Sequence, residues 1–235
     1  MNLTASPHPP PAALIADQTI LRTQMQSLIE AGAPLAFERC DFEGVDLSRL
    51  SMRDFAFSGC SFIEASLYAA GLSRTLWQGC RARQAVFDCA DLTDAHFTSC
   101  DLNNTQWRRA RLAAASFKGC KLTGANFEEA GHLGLTFEDT LLVSANLQRL
   151  SFRKLQLQDL DFSDANLSGC DFRDAVFVGG SLRDAHLKQA RFEGADLRAA
   201  DIGGLKLDDA RLFRGATISH RQAAELLMEL GIAVD

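Results

Sequence analysis

Every fifth residue from Phe37 to Leu212 is, with two exceptions, apolar and large. Of these 36 positions, all numbered with a final 2 or 7, 34 hold Leu, Phe, Ile, Met or Trp, and the exceptions are Ala82 and His132. Two residues before each lies a second constrained position, mostly Ala, Cys, Thr, Leu or Val, as at Cys40, Val45, Ala65, Thr75, Ala125 and Ala195. The other three positions of each unit are mostly polar. The phase never slips in the sequence, which predicts no insertion other than a multiple of five.

A period of five matches neither the 3.6 of a helix nor the 2.0 of a strand. Apolar residues five apart would drift around a helical surface. The period describes a path that turns after each unit and sends one large and one small side chain inward. Such a coil buries its apolar side only when successive turns stack and share backbone hydrogen bonds. Composition agrees: Phe reaches 16 while Tyr (1) and Trp (2) are scarce, as when one position type is filled repeatedly.

The stretches Ala125-Asn126-Phe127, Ala145-Asn146-Leu147 and Ala195-Asp196-Leu197 resemble the A-(D/N)-L-x-x signature of the pentapeptide-repeat family. The resemblance implies an all-β solenoid, a right-handed quadrilateral β-helix with four units per coil and therefore about nine coils. At about 4.8 Å per stacked strand, such a rod is about 43 Å long. The expected organisation is a disordered start and a capping helix in residues 1–34, the β-helix in 35–215, and a C-terminal helix and tail in 216–235.

One pattern supports four units per coil independently. Cys40, Cys60, Cys80, Cys100 and Cys120 recur every 20 residues, which stacks five thiols in the small inward position of one side. Cys serves there as a small apolar filler. A spacing of about 4.8 Å is too long for an unstrained disulfide, and seven Cys without a CxxC spacing fit reduced thiols. No metal and no cofactor is expected.

Asp17 reads as the N-cap of a helix reaching about Ala31, with Gly32 as its stop. Its stripe of Ile20, Leu21, Met25, Leu28 and Ile29 would cover the first coil, with partner binding as the alternative. Ser219 and Gln222 read as a capping box behind Ile218, opening a helix that runs to about Leu230. Its segment 223–232 looks like the dimerisation helix of pentapeptide proteins that protect DNA gyrase, which assigns Ala223, Leu226, Leu227, Leu230, Ile232 and Val234 to an isologous homodimer contact.

Catalysis is not expected. No nucleophile-elbow, zincin or phosphate-loop spacing occurs. His132 replaces an inward apolar residue beside Gly131 and Gly134, and reads as a tolerated defect or a small loop. Residues 1–13 lack Lys and Arg and carry Pro at 7, 9, 10 and 11, unlike a signal peptide. They read as an export signal of another kind or a frayed end. Without an apolar run of about 20 residues, a cytoplasmic protein is expected.

Function then falls to the surface. The side carrying the thiols has eight acids (Asp41, Glu43, Glu64, Asp101, Asp161, Asp164, Asp184, Asp201) and four bases (Arg81, Arg83, Lys121, Arg183). The opposite side has nine bases (Arg53, Arg74, Arg111, Arg153, Lys154, Arg173, Arg191, Arg211, Arg214) against six acids. The family resemblance implies that the acidic side mimics duplex DNA and binds DNA gyrase or topoisomerase IV, with no direct contact to nucleic acid or membrane. The expected role is resistance or self-immunity against a topoisomerase poison. A scaffold or delivered effector built on the same rod is the alternative.

Overall fold

The computed structural model describes residues 13–32, 34–204, 211–229 and 231–234. The chain winds as a right-handed four-sided β-solenoid. One side is a column of short parallel strands: β1 (Ala13–Ala16), β2 (Leu35–Glu38), β3 (Ala56–Ser58), β4 (Leu76–Gln78), β5 (His96–Thr98), β6 (Ser116–Lys118), β7 (Thr136–Glu138), β8 (Gln156–Gln158) and β9 (Val176–Val178). Helix α1 (Arg22–Glu30) lies between β1 and β2, and α2 (His220–Glu229) follows the rod. From β2 onward, paired residues are 20 apart, as in Phe37↔Phe57 and Phe57↔Trp77. The other three sides pair through single bridges of the same offset, such as Asp41↔Ser61, Asp46↔Ser66 and Ser51↔Gly71. Four units therefore make one coil.

On those three sides each unit closes on itself. Val45, Leu50 and Phe55 donate their N–H to the carbonyls of Phe42, Leu47 and Met52 three residues back, at 3.1, 3.3 and 3.3 Å. The residue before the closing one takes a left-handed φ, +64° at Gly44, +60° at Arg49 and +65° at Asp54. That turn aims the large residue and the small one inward and leaves three outward.

The interior is apolar and rich in aromatic rings. Rings 20 residues apart stack, as Phe97 on Phe117 (4.8 Å, 10°) and Phe87 on Trp107 (4.2 Å, 3°). Rings ten apart meet edge to face, as Phe97 and Trp107 (5.6 Å, 89°). Each such pair adds about 0.5–1.5 kcal/mol beyond its buried area. Phe dominates because a ring with a polar atom needs a partner inside. Both tryptophans have one: Trp77 Nε1 donates to Thr75 Oγ1 at 2.9 Å and Trp107 Nε1 to Thr105 Oγ1 at 2.7 Å. The hydroxyls pass the bond on to the carbonyls of Leu72 and Leu102.

The ends depart from the sequence expectations. Asp17 is not a helix cap: it has φ +54°, donates its N–H to Glu38 O at 3.0 Å and holds Arg39 at 2.7 Å. Residues 13–19 instead begin the ladder ahead of Leu35, with Ile15 over Phe37 at an offset of 22 rather than 20. That offset hides them from a search for period five. Helix α1 starts at Arg22, where the Gln24 side chain accepts the Leu21 N–H. Met25 is fully buried and Leu28 and Ile29 pack on the first coil, while Leu21 points to solvent. Arg22 donates to the carbonyls of Asp46 and Ser48, groups that an uncovered solenoid end leaves unpaired.

At the far end the phase does slip. Asp196 pairs with Thr217, 21 residues on, and Phe213 rather than Leu212 stacks on Phe192 (4.9 Å). The extra residue enters within 197–217, and the polypeptide order of apolar residues conceals it because Leu212 and Phe213 are both large. The Ser219–Gln222 capping box forms in both directions, at 2.7 and 3.2 Å. Gln222, itself buried, also donates to the carbonyls of Leu197 (2.8 Å) and Ala200 (2.7 Å) and so seals the last coil.

One irregularity interrupts the rod. The bridge between residues 131 and 151 is absent from a series otherwise running 51, 71, 91, 111, 131 and 151, 171, 191. The adjoining strands β7 and β8 fall into separate sheets. His132 thus marks neither a filled core position nor an inserted loop, but a place where two coils part on one side.

Candidate partner-binding faces

The acid-or-amide residue before each inward position has a structural task. Asp41, Asp46, Asp91, Asp101, Asn126, Asp161, Asn166, Asp171, Asp196 and Asp201 each accept, through Oδ1, the N–H of the residue two further on, at 2.9–3.4 Å. These side chains cap the turn. Four of the eight acids on the thiol side (Asp41, Asp101, Asp161 and Asp201) are caps of this kind and half-buried, whereas Glu43, Glu64, Asp164 and Asp184 are exposed.

Ion pairs divide that side further. Asp101 pairs with Arg83 (3.5 Å) and Asp201 with Arg183 (2.9 Å). The other six acids are in no ion pair among the described residues. They form two groups, Asp41, Glu43 and Glu64 at the first coils and Asp161, Asp164 and Asp184 at the seventh and eighth. Six coils separate Asp41 from Asp161, about 29 Å at the usual strand spacing. Between the groups Arg81 and Lys121 stand without ion-pair partners among the described residues.

On the opposite side the surplus of bases is largely neutralised. Arg74 holds Asp54 (2.6 Å), Arg111 holds Asp91 (2.7 Å) and Arg173 holds Asp171 (2.6 Å), with longer pairs from Arg153 to Asp174 and Arg191 to Glu193 (3.8 Å each). Arg173 keeps the Asp171 carboxyl below the usual carboxylate range, and Arg198 does the same to Asp196 on a third side. Burial acts against this at Asp201, but the Gly203 N–H and Arg183 outweigh it and the carboxyl is again lowered.

The thiols stack as the spacing predicts. Cys60, Cys80, Cys100 and Cys120 donate to the carbonyls of Phe37, Phe57, Trp77 and Phe97 at 3.4–3.6 Å, and Thr140 continues the ladder with a hydroxyl on Phe117 O. Burial pushes the Cys170 thiol, on another side, up to about 12. Cys89 alone is exposed. Among the described residues no group of three or more His, Cys, Asp or Glu is arranged to hold a metal ion, and no helix is long and apolar enough to cross a membrane.

At the C-terminal end Leu226 packs on the rod and Ala223 is half-buried. Leu227, Ile232 and Val234 are exposed together with Met228 (63%), which the family comparison of the helix overlooked. Leu230 lies outside the described residues. Helical amphipathicity reveals this surface only partly, since the rod covers just one stripe of the helix.

The pentapeptide repeat region model matches residues 50–127 and 90–149, and the pentapeptide repeats (8 copies) model matches 156–194 and 181–212. The stretch between them, 150–155, forms one lip of the parted coils. A search of curated protein sequences returned no match. Among solved structures, a trypsin-treated form of QnrB1, a plasmid-mediated fluoroquinolone resistance protein, is 23% identical over 95% of this chain and 98% of that one, with a TM-score of 0.58. Full-length QnrB1 is 22% identical over 94% and 98%, with a TM-score of 0.56. HetL, a pentapeptide repeat protein involved in heterocyst differentiation regulation from the cyanobacterium Nostoc, is 21% identical over 80% and 87%, with a TM-score of 0.34. With its five-residue repeat, its 20-residue coils and the family-model matches over residues 50–149 and 156–212, the chain belongs to the pentapeptide-repeat family.

Proposed function

We propose that this protein is a non-catalytic DNA mimic that binds DNA gyrase or a related type II topoisomerase and counters a topoisomerase poison. The observation that carries the reading is the six carboxylates, in two groups on one side of the rod, that are in no ion pair among the described residues. Its fold and length also match the fluoroquinolone resistance protein QnrB1 nearly end to end. The exposed Leu227, Met228, Ile232 and Val234 supply the apolar contact that joins two rods through their C-terminal ends.

The mimic is sparse. Duplex DNA carries one charge per about 1.7 Å, whereas here two acidic groups flank a stretch holding Arg81 and Lys121. Binding through two separated anchors follows from that arrangement. The interrupted charge also favours the second reading, a protein-interaction scaffold that uses the same rod for another partner.

Gyrase supercoiling and cleaved-complex formation, measured with and without a quinolone while the protein is titrated, separate the two. Protection that is lost in the combined Glu64→Gln, Asp164→Asn and Asp184→Asn variant supports mimicry. These three side chains cap no turn, and Asn suits the left-handed φ at 164 and 184. No change in either assay at high micromolar dimer sinks the topoisomerase reading and leaves the scaffold.

A further inference from the structure

The parted coils form a cavity of about 530 Å³, within the range of ligand-binding clefts. Its lower lip is Gly131–Leu135 and its upper lip Ser151–Leu155. Below the gap the ladder is regular: Gly131 donates to Ala110 O (2.8 Å), Leu112 to Gly131 O (2.7 Å) and Ala114 to Leu133 O (2.8 Å). Above it, Phe152 donates to Asp171 O (2.8 Å) and Lys154 to Arg173 O (3.0 Å). Two other sides stay closed at this level, with Leu142 on Asp161 O (2.7 Å) and Leu147 on Asn166 O (3.0 Å). Across the gap itself, the bonds that every neighbouring coil makes are missing for the N–H groups of His132, Gly134, Ser151 and Gln156. The opposing carbonyls of Ser151, Arg153, Ala130 and Leu135 lose the same partners. Ala130 O receives only the His132 imidazole, at 3.2 Å.

The sequence accounts for the opening. Leu135 and Leu155 stack at a corner where Ala95, Ala115, Ala175 and Ala195 stand in other coils. Bulk alone does not part coils, because Leu35 and Phe55 stand at the same corner of successive coils while the strands there still pair, Ala36 with Ala56 and Phe37 with Phe57. What differs here is a half-buried imidazole in the inward position, flanked by Gly131 and Gly134. Leu133 is turned outward and 84% exposed at the edge of the cavity.

We infer that this cleft is a docking site for an extended peptide segment of a partner, which enters as an added strand and pairs with both lips. Two facing rows of donors and acceptors without backbone partners are complementary to a polypeptide backbone. Gly131 and Gly134 put no side chain on the lower lip at their own positions, and Leu133 and Leu155 offer apolar contact to the incoming segment. The charge is one-signed: Lys154 has no ion-pair partner among the described residues, and Arg153 reaches Asp174 only at 3.8 Å. The favoured segment therefore alternates apolar and acidic residues. The site lies on the side opposite the acidic groups and does not depend on the topoisomerase reading.

The test uses the full-length protein and a pool of capped octapeptides in which Val, Ile, Leu or Phe alternates with Asp or Glu. Amide hydrogen exchange at His132, Gly134, Ser151 and Gln156 is the readout, with Leu92 and Leu112 as internal controls. In the free protein the four amides exchange at least a hundredfold faster than the controls. Millimolar acidic peptide slows them tenfold or more, the same pool with Lys for the acids does so at least fivefold less, and a pool N-methylated at alternate amides does not. In His132→Leu the lips close, and the four amides become protected without peptide. Protection of all four amides in the free wild-type protein overturns the proposal. So does equal protection by the N-methylated pool, which marks a general apolar pocket, or no protection by the acidic pool. Concentration-dependent self-protection without peptide also overturns it, by making a second copy the occupant.

Discussion

The bond between Thr105 and Trp107 allows a quantitative check on how the core tolerates polar atoms. Both residues are fully buried, the indole N–H has Thr105 Oγ1 as its acceptor at 2.7 Å, and Trp107 is stacked between two further buried rings. Thr105→Val preserves shape but strands that N–H, at a cost of about 1–3 kcal/mol. Trp107→Phe removes the N–H and leaves a partly filled space, at a cost of about 1 kcal/mol. Phe already stands above and below it at Phe87 and Phe127, 4.2 and 5.6 Å away. In the double variant no donor is stranded, so the two costs do not add and the coupling is about 1–2 kcal/mol. Urea unfolding followed by far-UV circular dichroism, on all four proteins under one set of conditions, measures the cycle. Additivity within about 0.5 kcal/mol would show that the threonine contributes only volume, and the account of Thr75 with Trp77 would go with it.

Gln222→Leu leaves the carbonyls of Leu197 and Ala200 without their donor; amide exchange in the last coil should quicken at least tenfold while the third and fourth coils hold, since stacked repeats feel mainly their neighbours. Ala114 is exposed with φ +54°, so Ala114→Gly should stabilise by about 0.5–1 kcal/mol, and a lower urea midpoint would contradict the strain argument. Asp171 and Asp196 have folded pKa values below their unfolded ones; the unfolded chain then binds more protons, and their stabilisation is lost as pH falls below about 4. Asn keeps the turn cap, as Asn126 and Asn166 do natively, so Asp171→Asn with Asp196→Asn should flatten the decline in urea midpoint between pH 5 and 3. Deletion of residues 219–235 should give a monomer by sedimentation, and a deleted protein that remained dimeric would move the contact elsewhere on the rod.

The period of five made the coil and the inward residues legible, and the family resemblance with the 20-residue Cys spacing its side number, because one geometric rule repeats from Phe37 onward. Where the rule is broken without a change in residue type, it misled. Residues 13–19 join the ladder at an offset of 22, and Phe213 takes the place that the count gives to Leu212. Charge by side was only half legible. Position in the unit assigns Arg74 and Asp54 to one side, but only the stacked coils show that they neutralise each other at 2.6 Å. His132 was visible as an exception, yet its consequence needs the bulk of Leu135 and Leu155 one coil apart, residues that look unremarkable singly.

A rod filled by its own side chains leaves function to three outward positions per unit, and these are not equally free. The first is held by the turn it caps, where Asp and Asn are interchangeable for the backbone, so an acid there is weak evidence for a partner. The third carries a left-handed φ, which favours Gly, Asn and Asp for conformational reasons alone. Acids at either place are thus partly explained before any ligand is considered. Glu43 sits at the second position, which has neither constraint, and Glu64 at the third is not a residue that φ +57° selects. A partner's preference for negative charge is therefore read most directly from these two, and Glu43→Gln with Glu64→Gln is the substitution least confounded by folding. If it leaves the protection of gyrase unchanged while Asp164→Asn with Asp184→Asn abolishes it, one acidic group suffices and two-anchor binding is wrong.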